Sequence, residues 1–146
     1  MYRNRPDKIV IHHSLTKDSG TVSWGAIRDY HIGARGWADI GYHAGIELVG
    51  DKYECFYGRP DDMQGAHTQG ENHNSLGFCF IGNFDEQDPD PDMLATAVQR
   101  VLAPWCRQYR ISVSQILGHR VFANKSCPGD LFSIDVLRDM IETELE

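Results

Sequence analysis

The sequence predicts an α/β fold with a mixed central β-sheet flanked by α-helices. Three observations carry that expectation. Lys8–His13 is β-branched and apolar on both alternating faces, the pattern of a central strand covered on both sides. Gly41–Val49 and Tyr53–Tyr57 bracket Gly50–Asp51, which is a hairpin signal. From Met93 to Tyr109, residues such as Leu94, Ala97, Val98, Val101, Leu102 and Trp105 recur on one wide helical face. Strands interspersed with helices, one strand pair being a hairpin, make a mixed sheet covered by helices.

The remaining elements follow in chain order. A turn-rich stretch at Lys17–Gly20 leads to a short helix over Trp24–His31, with Thr21 or Ser23 available as N-cap and Gly33 and Gly36 to stop it. After the hairpin, the glycines and polar residues from Gly58 to Asn74 predict a long loop, and Leu76–Ile81 an apolar strand. An acidic, Pro-containing turn over Asp85–Asp92 precedes the long helix. Pro104 lies inside that helix, so a kink or a lost hydrogen bond is expected near it. Ile116–Leu117 predicts a last short strand, and a closing helix after Ser133 turns Ile134, Leu137, Ile141 and Leu145 to one side. With no internal repeat or low-complexity linker, residues 1–146 are expected to form one domain.

Composition narrows the function classes. Hydrophobic residues make up 41% and charged residues 24%, as in an ordinary globular protein. A formal net charge of −7 argues against a general nucleic-acid binder that works by neutralising phosphates. No apolar run reaches the ~18–20 residues of a membrane-spanning helix, so no membrane anchor is expected. The apolar stretch Ile9–Ile11 is far short of a signal-peptide core, which predicts a chain that is cytoplasmic on synthesis. The four cysteines, Cys55, Cys79, Cys106 and Cys127, are well separated and form no CxxC pair, so disulfides are not needed.

Seven histidines stand in different settings. His12 and His13 end the first strand, and because neighbouring strand residues point to opposite faces, only one can face a given cleft. His119 follows the last strand, and Cys127 comes eight residues later within Lys125–Ser126–Cys127–Pro128–Gly129. A histidine and a cysteine at the two ends of a short loop can converge on one metal. A third ligand from a distant strand would complete an open zinc site of two imidazoles, one thiolate and a water. Such a site lowers the pKa of its water to about 7 and polarises an amide carbonyl. A structural zinc site would have four protein ligands, usually in closer pairs. Taken singly, a strand-end histidine is an ordinary core or surface residue and a lone cysteine a small buried hydrophobe, which is the reading for Cys79 and Cys106.

Seven segments then share an order: IVIHHS (9–14), TVSWGAIRDYH (21–31), RGWADIGYH (35–43), YGRP (57–60), GAHTQGENHNSLGFCFIGNF (65–84), ILGHR (116–120) and KSCPG (125–129). On these the chain resembles the zinc amidases of the amidase-2 and peptidoglycan-recognition-protein family, especially the compact phage lysozymes of amidase type. The resemblance implies a peptidoglycan-recognition-protein-like fold and hydrolysis of the amide between N-acetylmuramic acid and L-alanine. It makes His12, His119 and Cys127 the Zn2+ ligands and turns His13 away from the metal. Tyr42 matches a tyrosine lining the metal site, and Lys125 a lysine required for catalysis. His67 matches a position near the substrate groove. His43 and His73 are open between structural and site roles, His31 is expected on the first helix, and Arg59 and Asn74 are candidates for the groove wall.

The chemistry of these residues agrees with the implied roles. Lys125 can set a positive charge against a developing oxyanion. A phenol of ordinary pKa near ~10 is a poor base at neutral pH, so Tyr42 is better suited to positioning. No carboxylate here matches the glutamate that some relatives use as a base. Non-catalytic recognition proteins of the family typically lose the cysteine ligand, and keeping Cys127 favours an enzyme. The expected partner is peptidoglycan or a muropeptide and the expected state a monomer. An endolysin reaching the cell wall or periplasm after release is the first reading. A cytosolic amidase recycling wall fragments, or a non-catalytic wall-binding module, are the alternatives.

Overall fold

The computed structural model describes residues 2–15 and 23–146. Strands β1 (Lys8–His13), β2 (Ala44–Val49), β3 (Lys52–Tyr57), β4 (Ser75–Phe80) and β5 (Ile116–Gly118) form one sheet in the order β3-β2-β4-β1-β5. β1 lies between β4 and β5 and runs parallel to both, while β2 pairs parallel with β4 and antiparallel with β3. The sheet is therefore mixed, and β1 is buried at all six positions as its composition predicts. The hairpin turns at Gly50, whose φ of 67° is a left-handed conformation that glycine adopts without strain. β2 begins at Ala44 rather than Gly41: the Gly41 carbonyl accepts from the Ala66 N–H at 2.9 Å and its N–H donates to His31 Nδ1 at 3.0 Å, and the Tyr42 and His43 carbonyls accept from Arg59 and Gly58.

Helix α1 (Trp24–Asp29) is capped by Ser23, whose Oγ accepts from the Ala26 N–H at 3.0 Å. The Lys17–Gly20 turn and the alternative cap Thr21 lie outside the described residues. α1 does not stop at His31. It continues through a wider π-turn over Tyr30–Ala34 that contains Gly33, and the chain leaves it through Gly36 at φ 70°.

The long second helix is interrupted as Pro104 predicts. α2 (Pro91–Ala97) passes through a π-turn at Val98–Leu102 into α3 (Ala103–Tyr109). Proline lacks an N–H and its ring collides with the carbonyl four residues back. Here the preceding turn widens, and the Ala103 N–H reaches Val98, five residues back. α4 (Ile134–Leu145) starts on Ser133, whose Oγ accepts from Val136 N–H at 3.1 Å.

The two sheet faces do different work. Ile9 and Ile11 of β1, with Leu76, Phe78 and Phe80 of β4, face the main core, closed by Met93, Val101, Leu102, Trp105, Leu137 and Ile141 of the helices. The opposite face carries a smaller cluster of Trp24, Ile40, Cys79 and Ile81. His12 lies on this second face beside Cys79, its register partner on β4. Among the described residues no helix is long and apolar enough to cross a membrane.

Candidate metal centre and active-site cleft

β1 and β5 are parallel, so their carboxyl ends open at the same edge of the sheet, where loops gather in α/β folds. His12 stands near the end of β1, and His119 is the first residue after β5. The chain then turns back so that Cys127 approaches the end of β1: its Sγ accepts from the His13 N–H at 3.3 Å and lies 3.9 Å from His12 Nδ1. One donor atom from each of His12, His119 and Cys127 falls within 4.8 Å of the other two. Two ligands at ordinary Zn–N and Zn–S distances and a tetrahedral angle stand about 3.5 Å apart. The donor set and its spacing fit a divalent metal with room for a further ligand.

Two side chains hold this geometry. Arg120, next to His119, donates from Nη1 to the Gly129 carbonyl at 3.1 Å and from Nη2 to that of Phe132 at 3.2 Å, while its backbone N–H bonds the Cys127 carbonyl at 2.8 Å. Asp85 accepts from the Ser126 hydroxyl and the Asp130 N–H, both at 2.9 Å. The Cys127 loop is thus tied from one side to β5 and from the other to the segment after β4. Sequence reasoning assigned neither residue a role. Asp85 reads as a solvated acidic turn, and nothing in ILGHR shows where the arginine points.

His13 projects to the other face of β1. Its Nδ1 accepts from the Phe84 N–H at 3.2 Å, and its ring stacks on Phe84. Strand alternation turns the two rings to opposite faces of β1, yet His13 also contributes to the cleft lining, so the expectation that only one of the pair borders the cleft is too strict. His67 lies beneath His12, with Nδ1 2.9 Å from His12 Nε2 and Nε2 3.3 Å from the Ser75 hydroxyl. Both ring nitrogens are engaged inside the protein, and His67 is one of the residues lining the cleft.

The centre opens into a cleft of about 1080 Å³ whose lining includes Tyr42, Trp37, Arg35, Lys125 and Phe122. Arg35 lies over the Trp37 ring at 4.9 Å. His31 is also on the wall, with Nδ1 accepting from the Gly41 N–H at 3.0 Å. Arg59 and Asn74 are absent from the lining. The guanidinium of Arg59 is spent on the carbonyls of Ile40, Gln64 and Asp39. His43 is fully buried, Nδ1 accepting from Gly77 N–H at 3.0 Å and Nε2 lying 2.7 Å from the Met63 carbonyl.

Burial dominates the electrostatics. It holds His12 well below the ordinary imidazole range, reinforced by His67, His119 and Lys125. His119 is lowered by burial and then by Lys125. Both are therefore neutral at pH 7 and able to ligate. Burial pushes the Cys127 thiol up to about 11 in the metal-free protein, opposed by the His13 N–H, Lys125 and Arg120. A bound cation would reverse that by stabilising the thiolate. Tyr42 rests against His12, ring centroids 5.2 Å apart. Its phenol is raised well above 10 by burial, by the nearby thiols Cys79 and Cys127, and by a hydrogen bond with Cys79.

A mixed α/β sheet that brings two imidazoles and a thiol together in a cleft could hold a divalent metal. The chain belongs to the N-acetylmuramoyl-L-alanine amidase family, whose profile matches residues 2–130. It is 33% identical over 147 residues to the endolysin of Escherichia phage T7, covering 98% of this chain and 91% of the phage protein. It is 32% identical over 126 residues to the peptidoglycan-recognition protein SC1a of Drosophila melanogaster, covering 82% of this chain and 66% of that one. Among solved structures, the N-acetylmuramoyl-L-alanine amidase LysC of Clostridium intestinale URNW superposes with a TM-score of 0.83 at 26% identity, over 100% of this chain and 90% of LysC.

Proposed function

We propose that this peptidoglycan amidase works as an endolysin, with Zn2+ held by His12, His119 and Cys127. The observation that carries this reading is the convergence of those three donor atoms within 4.8 Å at the floor of the cleft in a chain of this family. Zinc held by three protein ligands supplies an acidified water and a Lewis acid for the scissile carbonyl. In the overall reaction the amide C–N bond between the lactyl carbonyl of N-acetylmuramic acid and L-alanine breaks. The oxygen of water ends on the carbonyl carbon and a proton on the amine of alanine.

The chain's own groups have separate tasks. Lys125, exposed on the cleft wall, offers a positive charge to the oxyanion as it develops, an interaction stronger in the transition state than in the bound substrate. Tyr42, with its phenol held protonated, orients the reacting groups as a hydrogen-bonding neighbour of the centre and does not serve as the base. His67, on the cleft lining with its ring nitrogens engaged elsewhere, borders the bound substrate. The protein acts as a monomer, made in the cytoplasm and reaching the wall after release.

The test is digestion of purified peptidoglycan by the zinc-loaded protein with products identified by mass spectrometry. Free N-terminal L-alanine and intact glycan are expected, with Cys127→Ala and Lys125→Ala largely inactive. Release of reducing sugars, or wild-type activity in Cys127→Ala or in chelator, would overturn the reading.

A further inference from the structure

Behind His12 lies a chain of hydrogen bonds whose direction is fixed at its far end. The Ser75 hydroxyl has one proton, and its shortest contact, 2.6 Å, is to the Glu71 carbonyl, which can only accept. The Ser75 oxygen is then the acceptor for His67 Nε2 at 3.3 Å, which places the His67 proton on Nε2. His67 Nδ1 is left with a lone pair facing His12 Nε2 at 2.9 Å, so the His12 proton sits on Nε2. Thr68 Oγ1, 2.8 Å from His67 Nδ1 and 3.2 Å from His12 Nε2, completes a three-centre arrangement: its hydroxyl shares the one His67 Nδ1 lone pair and its oxygen shares the His12 proton, which stays on Nε2. His12 Nδ1 then carries a lone pair towards Cys127 Sγ, 3.9 Å away.

The slot that holds His67 is built for it. A Cβ on Gly77, the β4 residue paired with Val10, would fall 2.6 Å from two atoms of the His67 ring, and one on Gly65 would fall 2.6 Å from Cδ2. The Asn72 side-chain oxygen accepts from the backbone N–H groups of both His67 and Thr68, at 3.1 and 3.0 Å. Glu71, whose carbonyl ends the chain of bonds, is tethered through its carboxylate to Lys8 at 3.4 Å.

We infer that His67 and Ser75 are positioning residues, a relay that fixes the tautomer of His12 and so presents Nδ1, ready deprotonated, to the metal. The inference rests on the reading of His12 as a ligand. It makes His67 act through His12, using groups no substrate needs to touch. An outer partner of this kind sets the orientation and basicity of the inner imidazole, and its loss typically costs 10- to 100-fold in metal affinity.

Two measurements on the full chain test it. The first needs no metal: long-range 1H–15N spectra of the metal-free wild type should show His12 and His67 both protonated at Nε2, and Ser75→Ala should give His67 mixed tautomers. A His12 proton on Nδ1 in the wild type overturns the relay. The second is titration with Co2+, followed by thiolate-to-metal absorption. His67→Phe should weaken binding by about 10- to 100-fold, and His67→Gln, which can both accept from His12 and donate to Ser75, should recover most of the loss. Equal Co2+ affinity in wild type and a folded His67→Phe overturns the relay. Absence in the wild type of any Cys127-dependent absorption overturns the metal reading, and the tautomer spectrum still decides the relay separately.

Discussion

Tyr42 shows how a residue's surroundings limit its chemistry. Its phenol is buried, bonded to Cys79 and close to Cys127, all of which oppose ionisation. Tyr42→Phe is therefore expected to lower turnover with zinc content unchanged, since it removes the hydroxyl beside the centre and leaves the three proposed ligands in place. The basic limb of the pH–rate profile should stay in place, and its displacement would show that the phenol ionises during turnover. Much at this scale was legible in the sequence. Strand alternation separates His12 from His13, and the KSCPG segment marks Cys127. The inward turn of both His67 nitrogens was not legible, because it depends on Gly65 and Gly77, whose missing side chains leave no signal of what fills the space. Arg120 was hidden for a similar reason: its partners Gly129 and Phe132 offer only backbone carbonyls.

Element existence was read well and element interiors less well. All five strands and the long helices follow from apolar periodicity, which is strong over several turns. The π-turns at Tyr30–Ala34 and Val98–Leu102 leave the apolar pattern nearly intact, and only Pro104 gave notice of the second. The start of β2 was misplaced because Gly41 and Tyr42 continue the run of the strand in sequence but bond to Ala66, His31 and Arg59 outside the sheet. The closing helix offers a direct energetic check. Ser133 satisfies the Val136 N–H, so Ser133→Ala should lower unfolding stability by about 1 kcal/mol and Ser133→Gly by only a few tenths, measured by urea denaturation. A loss in the alanine variant no larger than in the glycine variant would mean that the cap contributes nothing.

The whole molecule is held partly by a histidine that must stay neutral. His43 is fully buried and accepts from the Gly77 N–H, which its protonated form cannot do. Burial lowers its pKa in the folded state, with the Met63 carbonyl opposing. The unfolded chain, with an ordinary histidine near 6.5, therefore binds more protons in acid than the folded one. Stability should be complete above about pH 6.5 and fall as pH drops from there towards the lowered folded value. Urea midpoints of metal-free protein between pH 8 and pH 5 measure this together with the like contributions of His12, His67 and His119, which burial also lowers, and a flat profile would exclude it.

The position of the three proposed ligands along the chain matters beyond chemistry. His12 and Cys127 are 115 residues apart in sequence, so an ion held between them would staple nearly the whole polypeptide into one loop. Such a staple exists only once the last strand has docked beside the first. An unfolded chain cannot preassemble it, and ion occupancy then becomes a restraint on unravelling from either end. Each tenfold rise in free Zn2+ above its dissociation constant should add about 1.4 kcal/mol to the unfolding free energy. Denaturant midpoints measured across buffered zinc concentrations should climb accordingly, and in Cys127→Ala they should climb far less.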